Sequence, residues 1–149
     1  DSEVARYIPF TYPTSKKAVE NIIKDYRENN EACMFIIDTE DKIPIGICSL
    51  NDIDWVNGSA RIEVIVYAKN CWGRGYGYDA LKTLTSFAMY DINLYVIYAQ
   101  VMGDNERAIK CFKKAGYEVE GVLKGRLYKD GMRKDLVSLS ISKGSKSDI

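Results

Sequence analysis

Val64-Ile65-Val66-Tyr67-Ala68-Lys69-Asn70-Cys71-Trp72-Gly73-Arg74-Gly75-Tyr76-Gly77-Tyr78-Asp79-Ala80-Leu81 is the stretch whose reading decides the fold. Its β-branched opening reads as a strand, its alternate glycines as a short loop, and the apolar-periodic residues after Gly77 as a helix. Glycines at 73, 75 and 77 admit positive φ and close approach, so successive backbone N–H groups can converge on an anion at the helix's positive end. Arg74 adds a charge-assisted donor. The outline is that of a phosphate site. Spacing then removes two common versions, because a P-loop ends in Gly-Lys-Ser/Thr and a dinucleotide fingerprint reads Gly-x-Gly-x-x-Gly. Counted from Gly75, the third glycine position is Tyr78, and no Lys-Ser or Lys-Thr follows. A plain glycine-rich turn stays open for the loop taken alone.

Upstream, Thr14 or Ser15 can cap a helix running to about Asn29, with Ala18, Val19, Ile22, Ile23 and Tyr26 on one face. Ala32 to Asp38 and Ile43 to Leu50 read as strands around a turn at Thr39 to Lys42. Asp52 to Ser59, with Asn57-Gly58, reads as a hairpin connection. In the strand from Ala60 to Ala68, Ala60, Ile62, Val64 and Val66 alternate with Arg61, Glu63, Ile65 and Tyr67, giving one apolar and one partly polar face. These three strands form an antiparallel meander.

Downstream, the helix after the glycines runs to Met89 with Ala80, Leu81, Leu84, Phe87 and Ala88 at helical spacing. The strand Leu94 to Val101 is reached through that helix, which favours parallel pairing with the strand before the loop. Asp104-Asn105 caps a second helix to Ala115, and Gly116 ends it. Tyr117 to Tyr128 and Arg133 to Ile141 form a final hairpin around Lys129-Asp130-Gly131-Met132, followed by a polar tail from Lys143 to Ile149. Tyr7 to Pro13 reads as an ordered loop. A single domain over residues 1–142 is expected, with an element order of βββαβαββ.

Composition narrows the chemistry. The chain has 149 residues, with 21 Lys plus Arg against 21 Asp plus Glu, so no overall field recruits nucleic acid or a membrane surface. No apolar run approaches the ~20 residues needed to span a bilayer. There is no histidine, and Cys33, Cys48, Cys71 and Cys111 are scattered without a Cys-x-x-Cys pair, which argues against a metal site or a His-based triad. Free thiols in a reducing cytoplasm are the expectation.

Two segments carry a resemblance. Trp72-Gly73-Arg74-Gly75-Tyr76-Gly77 resembles the acyl-CoA pyrophosphate loop of the GCN5-related N-acetyltransferases, with Trp72 where Gln or Arg is commoner. That departure resembles the branch of ribosomal-protein N-terminal acetyltransferases and spermidine acetyltransferases. Asn105-Glu106-Arg107-Ala108-Ile109-Lys110-Cys111-Phe112-Lys113-Lys114-Ala115-Gly116-Tyr117 resembles the family's second CoA segment, and Glu118 to Leu123 with Tyr128 to Gly131 continues it. The resemblance implies an α+β, three-layer acyltransferase fold. Its sheet is mixed and mostly antiparallel, with a central splayed parallel pair and helices on both faces. It also implies that the family's first strand and much of its first helix are missing, leaving an edge that another chain could supply, and a homodimer is a further expectation.

The implied reaction is direct acetyl transfer from acetyl-CoA, without a metal, to a primary amine. The resemblance places pantetheine against Ile65, Val66 and Tyr67, opposite Ala99 to Val101. The pyrophosphate falls on the N–H groups of Arg74, Gly75, Gly77 and Tyr78, with Trp72, Gly73 and Tyr76 alongside, and Asn105 bonds to pantetheine. An ammonium is not a nucleophile until it loses a proton, and Glu63 is the candidate base. The family's usual acid, a tyrosine, is replaced by Phe112. Tyr117 is a weak candidate for that role, better matched to a core position, and Cys111 is turned roughly 100° away from Phe112 on the helix. Arg107, Lys110, Lys113 and Lys114 could meet the 3′-phosphate of CoA, although a solvated basic face is the plainer reading.

A protein N-terminus is the expected acceptor, with spermidine or an amino sugar as alternatives. Glu20, Asp25, Glu28 and Glu31 are too interspersed with Lys17, Lys24 and Arg27 to make an acidic funnel by sequence alone. A non-catalytic acyl-CoA sensor and a nucleotide-binding regulatory domain are the rival classes.

Overall fold

The computed structural model describes residues 2–6 and 15–144. The expected loop at Tyr7 to Pro13 and the end of the expected tail lie outside these residues. A short helix α1 (Ser2–Ala5) precedes α2 (Lys16–Glu28), which begins where the Ser15 hydroxyl accepts the Ala18 N–H at 3.2 Å. The strands are β1 (Cys33–Asp38), β2 (Pro44–Asp54), β3 (Ser59–Val66), β4 (Val96–Met102), β5 (Glu118–Lys129) and β6 (Met132–Ser142). The helices α3 (Tyr76–Ser86) and α4 (Glu106–Lys114) flank β4 in the chain. No helix among the described residues is long and apolar enough to cross a membrane.

One six-stranded sheet results, in the order β1-β2-β3-β4-β6-β5, with β3 and β4 parallel and every other pair antiparallel. Alternation sends Leu50, Ala60, Ile62, Ile97, Ala99, Leu139 and Ile141 to one face, where they are buried together with Leu81 and Leu84 of α3 and Phe112 of α4. The other face is polar across its middle, with Ser49, Asn51, Arg61, Glu63, Tyr98 and Ser140 in register on neighbouring strands. The helix α2 lies on that side, its Tyr26 hydroxyl donating to Asn51 Oδ1. Helices thus cover both faces.

Several expected boundaries move, each for a local reason. The strand β2 continues to Asp54 instead of ending at Leu50, through an irregularity between Asn51 and Asp54 at which Asp52 adopts φ +48°. The hairpin connection therefore shrinks to residues 55–58. The strand β3 stops at Val66, because the Tyr67 and Ala68 N–H groups both turn to the Ile45 carbonyl, at 2.9 and 3.2 Å. The helix expected to reach Met89 ends at Ser86 and widens into a π turn over Phe87–Asp91, which keeps Ala88 and Met89 buried. The last hairpin turns on Asp130 and Gly131, both at positive φ as a two-residue turn requires.

Candidate functional site

The β3–β4 seam has three rungs, Ser59↔Val96, Ala60↔Ile97 and Arg61↔Tyr98. Beyond them β3 stays paired with β2 and β4 with β6, so the two parallel strands part. A cleft of about 410 Å³ opens between the far half of β3, the glycine loop and α4. It is lined by Ile65, Val66, Trp72, Gly73, Gly75, Tyr76, Gly77, Tyr78 and Asn105, nine of the eleven residues expected at the cofactor, and by Val64, which was not among them. Tyr67 and Arg74 do not line it.

The loop and helix start supply donors. Gly73 and Gly75 sit at φ +71° and +89°, and a Cβ built on either would meet nothing within 4 Å, so what demands glycine there is the backbone conformation. The first N–H of α3 to bond back along the helix is that of Asp79, to the Gly75 carbonyl at 2.9 Å. The N–H groups of Tyr76, Gly77 and Tyr78 therefore have no acceptor within the helix, and they face the cleft end where its dipole is positive. These groups suit a diphosphate.

Cations rim the same cleft. Arg107, Lys110 and Lys114 line it, whereas Lys113 does not, and all four are exposed to solvent. The Arg107 guanidinium lies 4.0 Å over the Trp72 ring, and Lys114 Nζ lies 4.3 Å over that of Tyr78. Arg74 sits 5.8 Å from the Tyr76 ring centre. At the mouth, Val4 of α1 lines the cleft while Glu3 pairs with Lys69 at 2.6 Å.

Backbone direction corrects the expected pantetheine contacts. The Tyr67 N–H is spent on Ile45, and the Ile65 carbonyl crowds Gly46 on β2 so closely that no Cβ would fit there. Alternation then turns the Val64 and Val66 peptide groups toward the widening gap. The Trp72 indole N–H donates to the Val66 carbonyl at 2.7 Å, leaving Val64 and the Val66 N–H as the free edge. Asn105 caps α4, its Oδ1 accepting the Ala108 N–H at 3.2 Å and its carbonyl accepting that of Ile109 at 3.1 Å. Its side-chain NH₂ is the group left to meet a ligand.

Glu63 belongs to the opposite face. Its carboxylate pairs with the Arg61 guanidinium, which also meets Asp52 at 3.0 Å through Nε. Burial works against the Arg61 charge, yet Glu63 and Asp52 hold its pKa above the usual guanidinium value. Arg61 and Asp52 help to line a second cavity of about 270 Å³ with Asp25, Tyr26, Glu31 and Asn51. Burial raises the pKa of Tyr26 and of Tyr98, with Glu63 adding to the first and Asp52 to the second. Asp52, Asn51 and Tyr26 escaped the sequence reading as site residues. The period-two alternation that put Arg61 beside Glu63 was the available signal.

Tyr117 and Phe112 resolve differently. Tyr117 is 2% exposed, does not line the cleft, and packs edge-on against Phe112 at 5.0 Å. The Thr85 hydroxyl donates to the Leu81 carbonyl at 2.7 Å, so the 2.7 Å contact between Thr85 and Tyr117 must use the phenol's proton. Burial pushes the Tyr117 pKa up as well. A proton committed in the core corrects the expectation of an acid at Tyr117. Phe112 and Cys111 both line the cleft, and burial raises the Cys111 thiol against the opposing pull of Lys114 and Arg107.

The comparisons agree with this geometry. Residues 1–118 match the model of the acetyltransferase (GNAT) domain. The chain is 33% identical over 137 residues to the uncharacterized N-acetyltransferase p20 of Bacillus licheniformis, covering 85% of this chain and 76% of that one. It is 25% identical over 134 residues to the [ribosomal protein uS5]-alanine N-acetyltransferase of Escherichia coli, covering 88% and 68%. The crystal structure of spermidine N-acetyltransferase from Vibrio cholerae, in complex with CoA and spermine, superposes with a TM-score of 0.89 at 21% identity, over 95% of this chain and 83% of that one. A splayed parallel pair, donors at the start of α3 and a domain match over most of the chain lead to one conclusion: this protein is a member of the GNAT acetyltransferase family.

Proposed function

We propose that the chain moves the acetyl group of acetyl-CoA onto a primary amine that enters from the face of Glu63. The observation that carries this is the three-rung seam, because the parting strands join the cleft on one face of the sheet to the carboxylate on the other. The N–H groups of Tyr76, Gly77 and Tyr78 would hold the diphosphate. Val64 and the Val66 N–H would pair with pantetheine, and Arg107, Lys110 and Lys114 would meet the remaining phosphate. Bound there, acetyl-CoA supplies a thioester carbonyl open to attack. Glu63 takes one proton from the incoming ammonium, the freed nitrogen bonds to the carbonyl carbon, and the carbon–sulfur bond breaks as the nitrogen's second proton passes to the departing sulfur. A CoA thiolate, with a thiol pKa near ~8.5, leaves without needing a side-chain acid.

Asp25, Glu31 and Asp52 face a single guanidinium in the second cavity, which favours a small polycation such as spermidine as acceptor. The protein N-terminus expected from the sequence is the second reading, supported by the relative that acetylates a ribosomal protein. The test is to mix the protein with acetyl-CoA and either spermidine, an amino sugar or peptides with N-terminal Ala or Ser, following thiol release and product mass. Acetylation of spermidine above the peptides supports the first reading, and the reverse order supports the second. CoA binding with no thiol release on any acceptor would overturn both and leave a sensor module.

A further inference from the structure

Resting on the reading of Glu63 as the base, we infer that Asp52 and Arg61 are positioning residues for its carboxylate, and that the irregularity in β2 places them. The rungs between β2 and β3 run regularly from Gly46↔Val66 to Asn51↔Arg61 and then break before Asp54↔Ser59. In that break Asp52 takes φ +48°, a conformation that residues with a side chain adopt at a cost. The result is a carboxylate 3.0 Å from Arg61 Nε. Because the guanidinium is a rigid planar fork, fixing Nε also fixes where Nη1 meets Glu63.

Position adds a second argument. Arg61 is the rung before the break on the β2 side, opposite Asn51, and the last rung of the seam on the β4 side, opposite Tyr98, so its side chain stands where β3 and β4 begin to part. The Arg61 and Glu63 side chains are 17% and 22% exposed, while Asp52 is 66% exposed. The inner pair is shielded from solvent, and the outer carboxylate anchors it. Among the described residues, Tyr26 from α2, Tyr98 from β4, and the cavity residues Asp25 and Glu31 are further titratable groups around this cluster. Without Asp52, the long arginine side chain could turn to either of those two carboxylates, carrying its hold on Glu63 with it.

The test compares Asp52→Asn, Asp52→Gly, Arg61→Gln, Arg61→Lys and the double variant D52N/R61Q. Asp52→Asn is expected to lower kcat by about 10-fold, a misplacement effect, while the acetyl-CoA Kd from calorimetry is unchanged. Asp52→Gly relieves the backbone cost, so it should raise the melting temperature and lower kcat together. Arg61→Lys should not restore the loss seen in Arg61→Gln, since an ammonium on a flexible stem lacks the planar fork that fixes one carboxylate relative to the other. In the Arg61→Gln background, D52N should add less than about 2-fold, because Asp52 acts through Arg61. Equal effects of D52N in both backgrounds, or wild-type kcat in D52N or D52G, would overturn the inference. So would a crystal structure of D52N with Arg61 and Glu63 undisturbed, a readout that does not need activity. A wild-type protein that acetylates no amine counts against the proposed function instead.

Discussion

Tyr117 and Thr85 spend their hydroxyl protons in series, one on the other and then on the Leu81 carbonyl. Tyr117→Phe is therefore expected to cost about 1 kcal/mol in denaturant unfolding, the usual worth of one buried hydrogen bond, and to leave kcat within about 2-fold. Glu63→Gln should do the reverse, lowering kcat by about 100-fold or more with little change in acetyl-CoA Kd. Burial raises the Cys48 thiol from 9.0 to about 11, and the unfolded chain therefore gives up this proton first as pH rises. The stability it contributes is full below pH 9 and is lost as pH climbs through about 11. Melting temperature should fall across that window, and less steeply in Cys48→Ala. The sequence shows Tyr117 as a core match because its neighbours follow a known pattern. It hides which of two hydroxyls donates, since that depends on a residue 32 positions away.

The glycine loop is the element read best from sequence, because local backbone chemistry suffices to define it. Gly75 caps α3 at φ +89°, so Gly75→Ala should cost about 1 kcal/mol of stability from backbone strain alone. It should also weaken acetyl-CoA binding, measured by calorimetry, as the N–H groups behind it shift. The strand β2 is the opposite case. Asn51-Asp52-Ile53-Asp54 has the composition of a turn, yet it continues the strand because α2 and Arg61 supply partners for its polar groups. The peptide groups of β3 that face the gap also escaped, since alternation gives two choices and the neighbouring Ile45 carbonyl selects one. On α4, spacing alone could not say that Arg107 would stack on Trp72 while Lys113 turned away.

Across the whole molecule, equal numbers of acidic and basic residues conceal a local excess of cations on the cleft rim. The KM for acetyl-CoA should accordingly rise with ionic strength, a dependence that Arg107→Gln with Lys110→Gln would flatten. The seam between β3 and β4 has a mechanical consequence. Three rungs stitch two three-stranded leaves together, so the leaves can breathe about that stitch when nothing lies in the fork. A molecule laid along Val64 and Val66 would serve as a removable strut between them. Amide deuteration at those two positions should then slow when CoA is added.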